Sequence, residues 1–334
     1  MYKQIVGAIT NNISNGNIKL NQKLPSINTV SENLNLSRDT VEKAYNILKD
    51  RNIIISIPKK GTYTAKIETK HKLNILFLIS KMSPYKINIY DCFVNKIGVN
   101  SDVNLVVYHC DELLFLETLN QANLVYDYYV VMPHFKTDEQ KHTSYTETVL
   151  KAIYKIPKNK LLFLDNIVPP LIEDNNIAAV YQNFENDIYE AMKEGKDKIV
   201  KYKKIVLVYP ERFVYPYPRR IVEGFKKFCF EFEMKFEILD KICNDIVLNT
   251  GDLFIIIEEY DLVNLIHQIR DNGLVLGEDL GIISYNDCPL KDLLNIATMT
   301  TDYKKMGETA AEMIIKNQGG RVKVPFYLND RNSF

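Results

Sequence analysis

Apolar positions fall into two regimes along the chain. Up to about residue 65 they recur at helical spacing and then at strand spacing. Ile5, Ala8, Ile9 and Ile13 predict a first helix, with Gly16 as its stop. A polar stretch, NGNIKLNQKLPS, leads to Ser26, a helix cap, behind which Ile27, Val30 and Leu34 mark one face of a short helix. Asn35 and Leu36 make a tight connection to Ser37, a second cap. The next helix turns Val41, Ala44, Tyr45 and Leu48 inward and runs to about Asp50. IIISI (53–57), PKKG (58–61) and TYTA (62–65) then read as strand, turn and strand.

Beyond the charged connector KIETKHK, short apolar runs alternate with helical stretches. Strands are predicted at NILFLI (74–79), NLVVYH (104–109), YDYYVVM (126–132), LLFLD (161–165), AAVY (178–181), KIVLVY (204–209), KFEIL (235–239), LFIII (253–257) and GIISY (281–285). Helices are predicted near 87–99, 112–121, 143–155, 184–202, 219–232, 262–272 and 304–316. Repeated βα units with short buried runs predict parallel sheets covered on both faces, and ligands in such sheets bind beyond the carboxyl ends of the strands. The boundaries drawn are a head at 1–66, a linker at 67–73 and a body at 74–334.

Composition narrows the class. A chain of 334 residues with 46% hydrophobic and 25% charged positions is an ordinary globular composition, which excludes wholesale disorder. No apolar run approaches the ~20 residues that cross a bilayer, and MYKQIVGAITNN lacks the features of a secretion signal. Five scattered cysteines without a C-x-x-C pair argue against a disulfide framework or a zinc ribbon. A soluble, cytoplasmic protein with no membrane partner is expected. The net charge of zero hides an asymmetry. Residues 1–72 hold twelve basic and five acidic side chains, a net of +7, and the remainder carries −7. A basic head on an acidic body points to a polyanion partner for the head alone.

Three helices, the last two joined by a short turn, followed by a hairpin make a winged helix-turn-helix. In that arrangement the third helix enters the major groove of double-stranded DNA, leading with Ser37, Arg38, Asp39 and Thr40 and with Lys43 one turn on. Arg38 can give two parallel hydrogen bonds to guanine O6 and N7, while Ser26, Ser37 and Thr40 can donate to phosphates. Lys59 and Lys60 sit at the hairpin tip, where a wing reaches the sugar-phosphate edge. The run KLPSINTVSENLNLSRDTVEKAYNILKDRNIIISIPKKGTYT resembles the DNA-binding domain of GntR-family transcription regulators. The resemblance is carried by Leu24-Pro25-Ser26, Ser37-Arg38, Thr40-Val41, Ala44-Tyr45, Leu48 and Gly61-Thr62-Tyr63. It implies DNA contacts at Ser26, Arg38, Thr40 and Gly61, with Thr62 beside them. Glu42 stands where some members have a second arginine. A carboxylate there repels phosphate and can at best accept from a cytosine amine, so their operator sequence does not transfer.

The body has no phosphate-binding loop, no G-x-S-x-G elbow, no H-E-x-x-H and no G-x-G-x-x-G, and its histidines lack metal-ligand spacing. No enzyme activity, cofactor or metal is expected. Residues 271–314, DNGLVLGEDLGIISYNDCPLKDLLNIATMTTDYKKMGETAAEMI, resemble the end of LacI-type sensors, relatives of periplasmic sugar-binding proteins. The matching features are Gly273 to Gly277, Ser284-Tyr285-Asn286-Asp287, Met306-Gly307 and Ala310-Ala311. The resemblance implies an α/β body of two lobes closing on a small molecule, commonly a sugar, and a homodimer formed through this domain. It places effector contacts at Glu258 and Asn286, at the loop Ser80–Tyr85 that carries Ser83 and Tyr85, and at an arginine supplied by Arg219 or Arg220. Tyr217, in the loop Tyr215-Pro216-Tyr217-Pro218, can stack on a sugar ring or pack between the lobes. Asp165 and Asn166 end a strand on the cleft side and can meet hydroxyls. The whole arrangement is similar to fucose-operon repressors, which makes L-fucose the first sugar to test. Two other readings of the body stay open at this level: a protein-interaction module without ligand, and an enzyme-derived domain.

Overall fold

The computed structural model of the chain describes residues 2–14, 17–19, 21–58, 60–65, 72–171, 176–244 and 246–334. It divides into two compact units, Met1–Lys72 and Leu73–Phe334. The helix stop at Gly16, the wing residue Lys59 and most of the connector lie outside the described residues.

The first unit is an α+β winged helix-turn-helix. It runs α1 (Tyr2–Ser14), α2 (Ile27–Leu34), α3 (Arg38–Asp50), β1 (Ile54–Ile57) and β2 (Gly61–Thr64). Ser26 and Ser37 cap α2 and α3 by accepting from the backbone N–H groups of Thr29 and Thr40. Asn35, left-handed at φ 54°, ends α2 and allows the tight turn into α3. Ile5, Val6, Val41, Ala44, Tyr45, Leu48 and Ile54 form the core, and the buried Tyr45 hydroxyl donates to the Pro25 carbonyl at 2.8 Å. Two apolar positions depart from the periodicity. Ala8 is exposed, its place on the inner face taken by Val6, and Leu34 is 53% exposed at the end of α2. The polar stretch before Ser26 does more than connect. Leu24 N–H donates to Thr62 O at 2.9 Å and Thr64 N–H to Gln22 O at 3.0 Å, so residues 22–24 lie along β2 as a third strand of the wing.

The second unit is built from two parallel sheets. The first lobe contains β3 (Leu73–Ile79), α4 (Pro84–Ile97), β4 (Ser101–Val107), α5 (Glu112–Ala122), β5 (Tyr128–Val131), a small hairpin of β6 (Phe135–Lys136) and β7 (His142–Thr143), α6 (Glu147–Ile153), β8 (Leu161–Asp165) and β9 (Ala178–Tyr181). The second contains α7 (Phe184–Glu194), α8 (Lys196–Ile199), β10 (Lys204–Val208), α9 (Arg220–Glu231), β11 (Phe236–Leu239), β12 (Asp252–Ile256), α10 (Glu259–Asp271), β13 (Gly281–Tyr285), α11 (Pro289–Leu293) and β14 (Ala297–Thr301). The chain then returns through α12 (Tyr303–Ile315) and β15 (Gly320–Lys323) to the first lobe, and crosses a last time to β16 (Phe326–Asn329).

Strand order is β15-β9-β8-β5-β3-β4 in the first sheet and β11-β10-β12-β13-β14-β16 in the second. Among the described residues, only β16 runs antiparallel to its neighbour in these two sheets. Both orders reverse direction at the first strand of the lobe, β3 or β10, and the crevice at such a reversal opens at the carboxyl ends of the strands. The central strands carry continuous apolar runs because helices cover both faces: all five residues of β8, β12 and β13 are buried. Helix α12 packs on α4 at Gly307, where an added Cβ would stand 2.4 Å from the Ile89 carbonyl oxygen.

Candidate ligand cleft and nucleic-acid interface

The carboxyl ends of the two sheets line one cavity of about 350 Å3. From the first lobe come the loop after β3 with the first turn of α4, His134 beyond β5, Asp165 at the end of β8 and Gln182 after β9. From the second come the loop 213–218 after β10, Glu258 after β12, and Asn286 and Asp287 after β13. Of the positions singled out by sequence, Ser83, Tyr85, Asp165, Tyr217, Glu258 and Asn286 line this cavity. Arg219 and Arg220 do not. Arg219 is exposed at the start of α9, and Arg220 donates to Asn166 Oδ1 at 2.8 Å with its guanidinium 5.3 Å from the Phe184 ring centre. The cations on the wall are lysines instead: Lys81, Lys86 and Lys291.

Asp165 is buried, left-handed at φ 71°, and fully engaged. Tyr85 Oη donates to Oδ1 at 2.7 Å, and Gln182 donates to the same oxygen. His134 Nε2 lies 2.9 Å and Lys86 Nζ 3.4 Å from Oδ2. Lys86, itself buried, also donates to Ser80 Oγ. Thr301 Oγ1, at the end of β14, donates to Gln182 Oε1 at 2.6 Å, so the network joins the cavity to two of the strands at which the chain crosses between lobes. Burial alone would raise the Asp165 carboxyl, but Lys86 and His134 hold it well below the usual carboxylate range. Burial, reinforced by Lys86, pushes His134 down to about 4. His142, 2.8 Å away at the other ring nitrogen, is lowered by burial and by His134. Both imidazoles are therefore neutral near pH 7, where they act as fixed hydrogen-bonding groups.

Across the cleft, Tyr217 donates to Glu258 Oε1, and Lys81 Nζ of the first lobe donates to Tyr217 Oη at 3.2 Å while lying 4.2 Å from the ring centre. Burial and the neighbouring Lys86 push Lys81 down to about 8. Tyr215 Oη meets His109 Nδ1 at 3.0 Å, a second contact between lobes. Burial lowers Lys291, which donates to the carbonyls of Tyr285 and Asn286 at 3.0 and 2.8 Å and so fixes the turn carrying Asn286. Asp287 is spoken for: Arg331 grips it with two parallel bonds of 2.9 Å. The buried Tyr285 hydroxyl has no hydrogen-bond partner among the described residues. The wall thus offers aromatic faces, a carboxylate, an amide and an ammonium around a small volume, the pattern of a site for a compact polar molecule.

Lys86, His134, Gln182 and Lys291 are not among the sequence candidates, and Lys81 enters there only as a member of the loop Ser80–Tyr85. His134 was reachable by the strand-end rule that finds Asp165, since it lies just beyond YDYYVVM. Lys86 is hidden by placing the helix start at Ile87, whereas Ser83 caps α4 and puts Lys86 in its first turn.

In the first unit, Arg38 opens α3 and is exposed, as are Ser37 and Lys43. The capping hydroxyls are paired, Ser37 with Thr40 at 2.8 Å and Ser26 with Thr29 at 2.7 Å, which fixes both helix N-termini. Lys43 Nζ lies 4.7 Å from the Tyr2 ring centre, drawn toward α1. Lys60 and Gly61 are exposed at the hairpin turn, and Thr62 is half-buried, its hydroxyl 3.3 Å from that of Ser56.

Residues 1–64 match the family described as bacterial regulatory proteins, gntR family. Among solved structures, a LacI family transcriptional regulator from Lactobacillus casei with bound glucose is 12% identical, with a TM-score of 0.61 over 78% of this chain and 99% of that one. The Lac repressor dimer bound to operator and the anti-inducer ONPF is 15% identical, with a TM-score of 0.59 over 79% and 95%. A periplasmic binding protein/LacI transcriptional regulator from Alkaliphilus metalliredigens QYMF, complexed with D-xylulofuranose, is 15% identical, with a TM-score of 0.55 over 78% and 98%. Residues 1–64 therefore form a GntR-type DNA-binding helix-turn-helix domain, and the body has the two-lobed fold of LacI-type regulators and periplasmic binding proteins.

Proposed function

We propose that this chain is a cytoplasmic transcription regulator that binds operator DNA as a homodimer and releases it when a monosaccharide enters the cleft, relieving repression of a sugar-utilisation operon. The observation that carries the reading is the cavity itself. Tyr217 and Tyr215 supply aromatic faces, while Glu258, Asn286 and Lys81 converge with hydrogen-bonding groups matched to a polyol. The similar folds crystallised with glucose and with D-xylulofuranose, and the Lac repressor dimer on its operator, support the same reading.

On the DNA side, Arg38 reads a guanine edge, Ser26, Ser37, Thr40, Lys43 and Thr62 hold phosphates, and Lys59, Lys60 and Gly61 bring the wing to the backbone. On the ligand side, Glu258 and Asn286 select the hydroxyl pattern, because a ligand lacking a hydroxyl leaves its partner buried and unpaired. Ser83, Tyr85 and Asp165 shape the opposite wall, and Arg220 steadies it through Asn166. Linkage is reciprocal: a sugar that loosens DNA binds less tightly to the DNA complex.

The test is a thermal-shift screen of the full chain with monosaccharides and sugar phosphates, L-fucose first. It is followed by gel shift on a duplex selected from random sequence. A sugar that raises the melting temperature and weakens operator binding is expected, with Glu258→Ala and Asn286→Ala each abolishing the response while sugar-free operator affinity stays nearly intact. A chain that binds its operator but is shifted by no sugar would favour a body that engages a protein partner. Sedimentation of a monomer that saturates an operator at one chain per site would remove the dimer.

A further inference from the structure

Gly61, in the wing, has a backbone outside the ordinary range, with φ +110°. It also has a neighbour. A Cβ added there would stand 2.9 Å from Lys23 Cε and 3.7 Å from Lys23 Nζ, so the lysine stem lies across the bare face of the glycine. Lys23 comes from the stretch that pairs with β2 as a third wing strand, where it sits opposite Tyr63 and is exposed. Backbone bonds on both sides of it, Leu24 N–H to Thr62 O and Thr64 N–H to Gln22 O, fix its position on the wing. Lys60, the residue before Gly61, is exposed in the same turn. Two lysines thus adjoin one glycine at the end of the hairpin. One is carried by the turn and the other reaches in from a strand remote in sequence.

We infer that Lys23 is a DNA-backbone contact, a phosphate-binding lysine that Gly61 seats beside the wing tip. The inference rests on the reading of residues 1–64 as DNA-binding. A lysine here neutralises phosphate as a point charge and carries no base information, so it contributes to binding on every sequence. The glycine acquires a second role: besides adopting its backbone conformation, it leaves the space through which Lys23 reaches the tip.

Fluorescence anisotropy of the full chain on a random-sequence duplex and on a selected duplex, across a salt series, tests this. Lys23→Met keeps an unbranched stem of similar length and removes the charge; Lys23→Arg keeps the charge. With Lys23→Met the slope of log affinity against log salt should become shallower by about 0.9 per chain, with both duplexes weakened by a similar factor. Lys23→Arg should retain the wild-type slope. Gly61→Ala should weaken binding, and much less so in the Lys23→Met background, where the displaced stem no longer carries a charge. An unchanged slope in both Lys23→Met and Lys23→Gln, with wild type still binding DNA, overturns the assignment; so does a loss confined to one sequence. A wild-type chain that binds neither duplex overturns instead the DNA-binding reading beneath it.

Discussion

Asp165 concentrates more interactions than any other side chain described in the cleft: two donors on one oxygen, a histidine and a lysine on the other. With both oxygens occupied, it holds the cavity wall and does not wait for a ligand. Asp165→Asn leaves the buried Lys86 ammonium uncompensated and should cost about 3–5 kcal/mol, read as a lower urea midpoint of the body. His134 gives a pH signature. Its imidazole is held down to about 4 in the fold, against an ordinary value of 6.5, so on acidification the unfolded chain takes up its proton first. The resulting stability is whole above pH 6.5 and is lost as pH falls toward 4, an effect of about 3 kcal/mol in unfolding free energy. His134→Gln should flatten that part of the pH profile. The site was legible in sequence where position alone decides. Asp165 ends a predicted strand, Glu258 and Asn286 directly follow two others and are singled out by the resemblance to LacI-type sensors, and strand ends meet in a cleft. Lys86 and Lys291 were not legible, because a lysine becomes interior only through partners distant in sequence: Asp165 for one, the turn carbonyls of Tyr285 and Asn286 for the other.

Among the elements, α7 and α9 are locked by a glycine. A Cβ on Gly224 would stand 1.9 Å from the Glu185 carbonyl oxygen, a backbone atom that cannot swing aside. Gly224→Ala should therefore push the helices apart and cost about 1–3 kcal/mol, visible as a lower melting temperature, with DNA affinity of the intact fraction little changed. Strands with clean apolar runs and helices with serine caps were readable because burial and capping leave their mark on neighbouring residues. The misses have local causes. A helix starting at Thr143 ignores the hairpin of β6 and β7, which holds His142 and Thr143 opposite Lys136 and Phe135 and delays the helix to Glu147. The continuous helix through 184–202 breaks at Gly195, where the Leu328 side chain of β16 would meet any Cβ at 2.6 Å. Strand β14, ATMTT, has no apolar run; its threonines are buried by pairing with β13 and β16, a signal absent from the segment itself. The edge strands β15 and β16 are too short for alternation to stand out.

For the whole molecule, the basic head and acidic body set how it meets DNA. Nonspecific binding should come from the head alone, and Arg38→Ala should lose about 1–3 kcal/mol at the one base position it reads while nonspecific affinity changes little. Gel shifts on a set of single-base operator variants measure this directly. The three crossings between lobes also bear on how the chain is made. The inner face of the first sheet, with Ile75, Phe77, Val130 and Leu162, is closed by Met306, Ala310 and Ala311 of α12, and its edge is completed by β15. On a ribosome adding about 5–20 residues per second, α12 emerges roughly 10–40 s after α4, which it must cover. Through that interval the nascent first lobe carries an open apolar face. Neither lobe is a contiguous piece of the message, so a chain halted at residue 318 should leave both unfinished, one without β15 and the other without β16. Vectorial synthesis gives this protein no early-folding half of its body, and its yield in a cell should track the supply of chaperones that shield unfinished sheets.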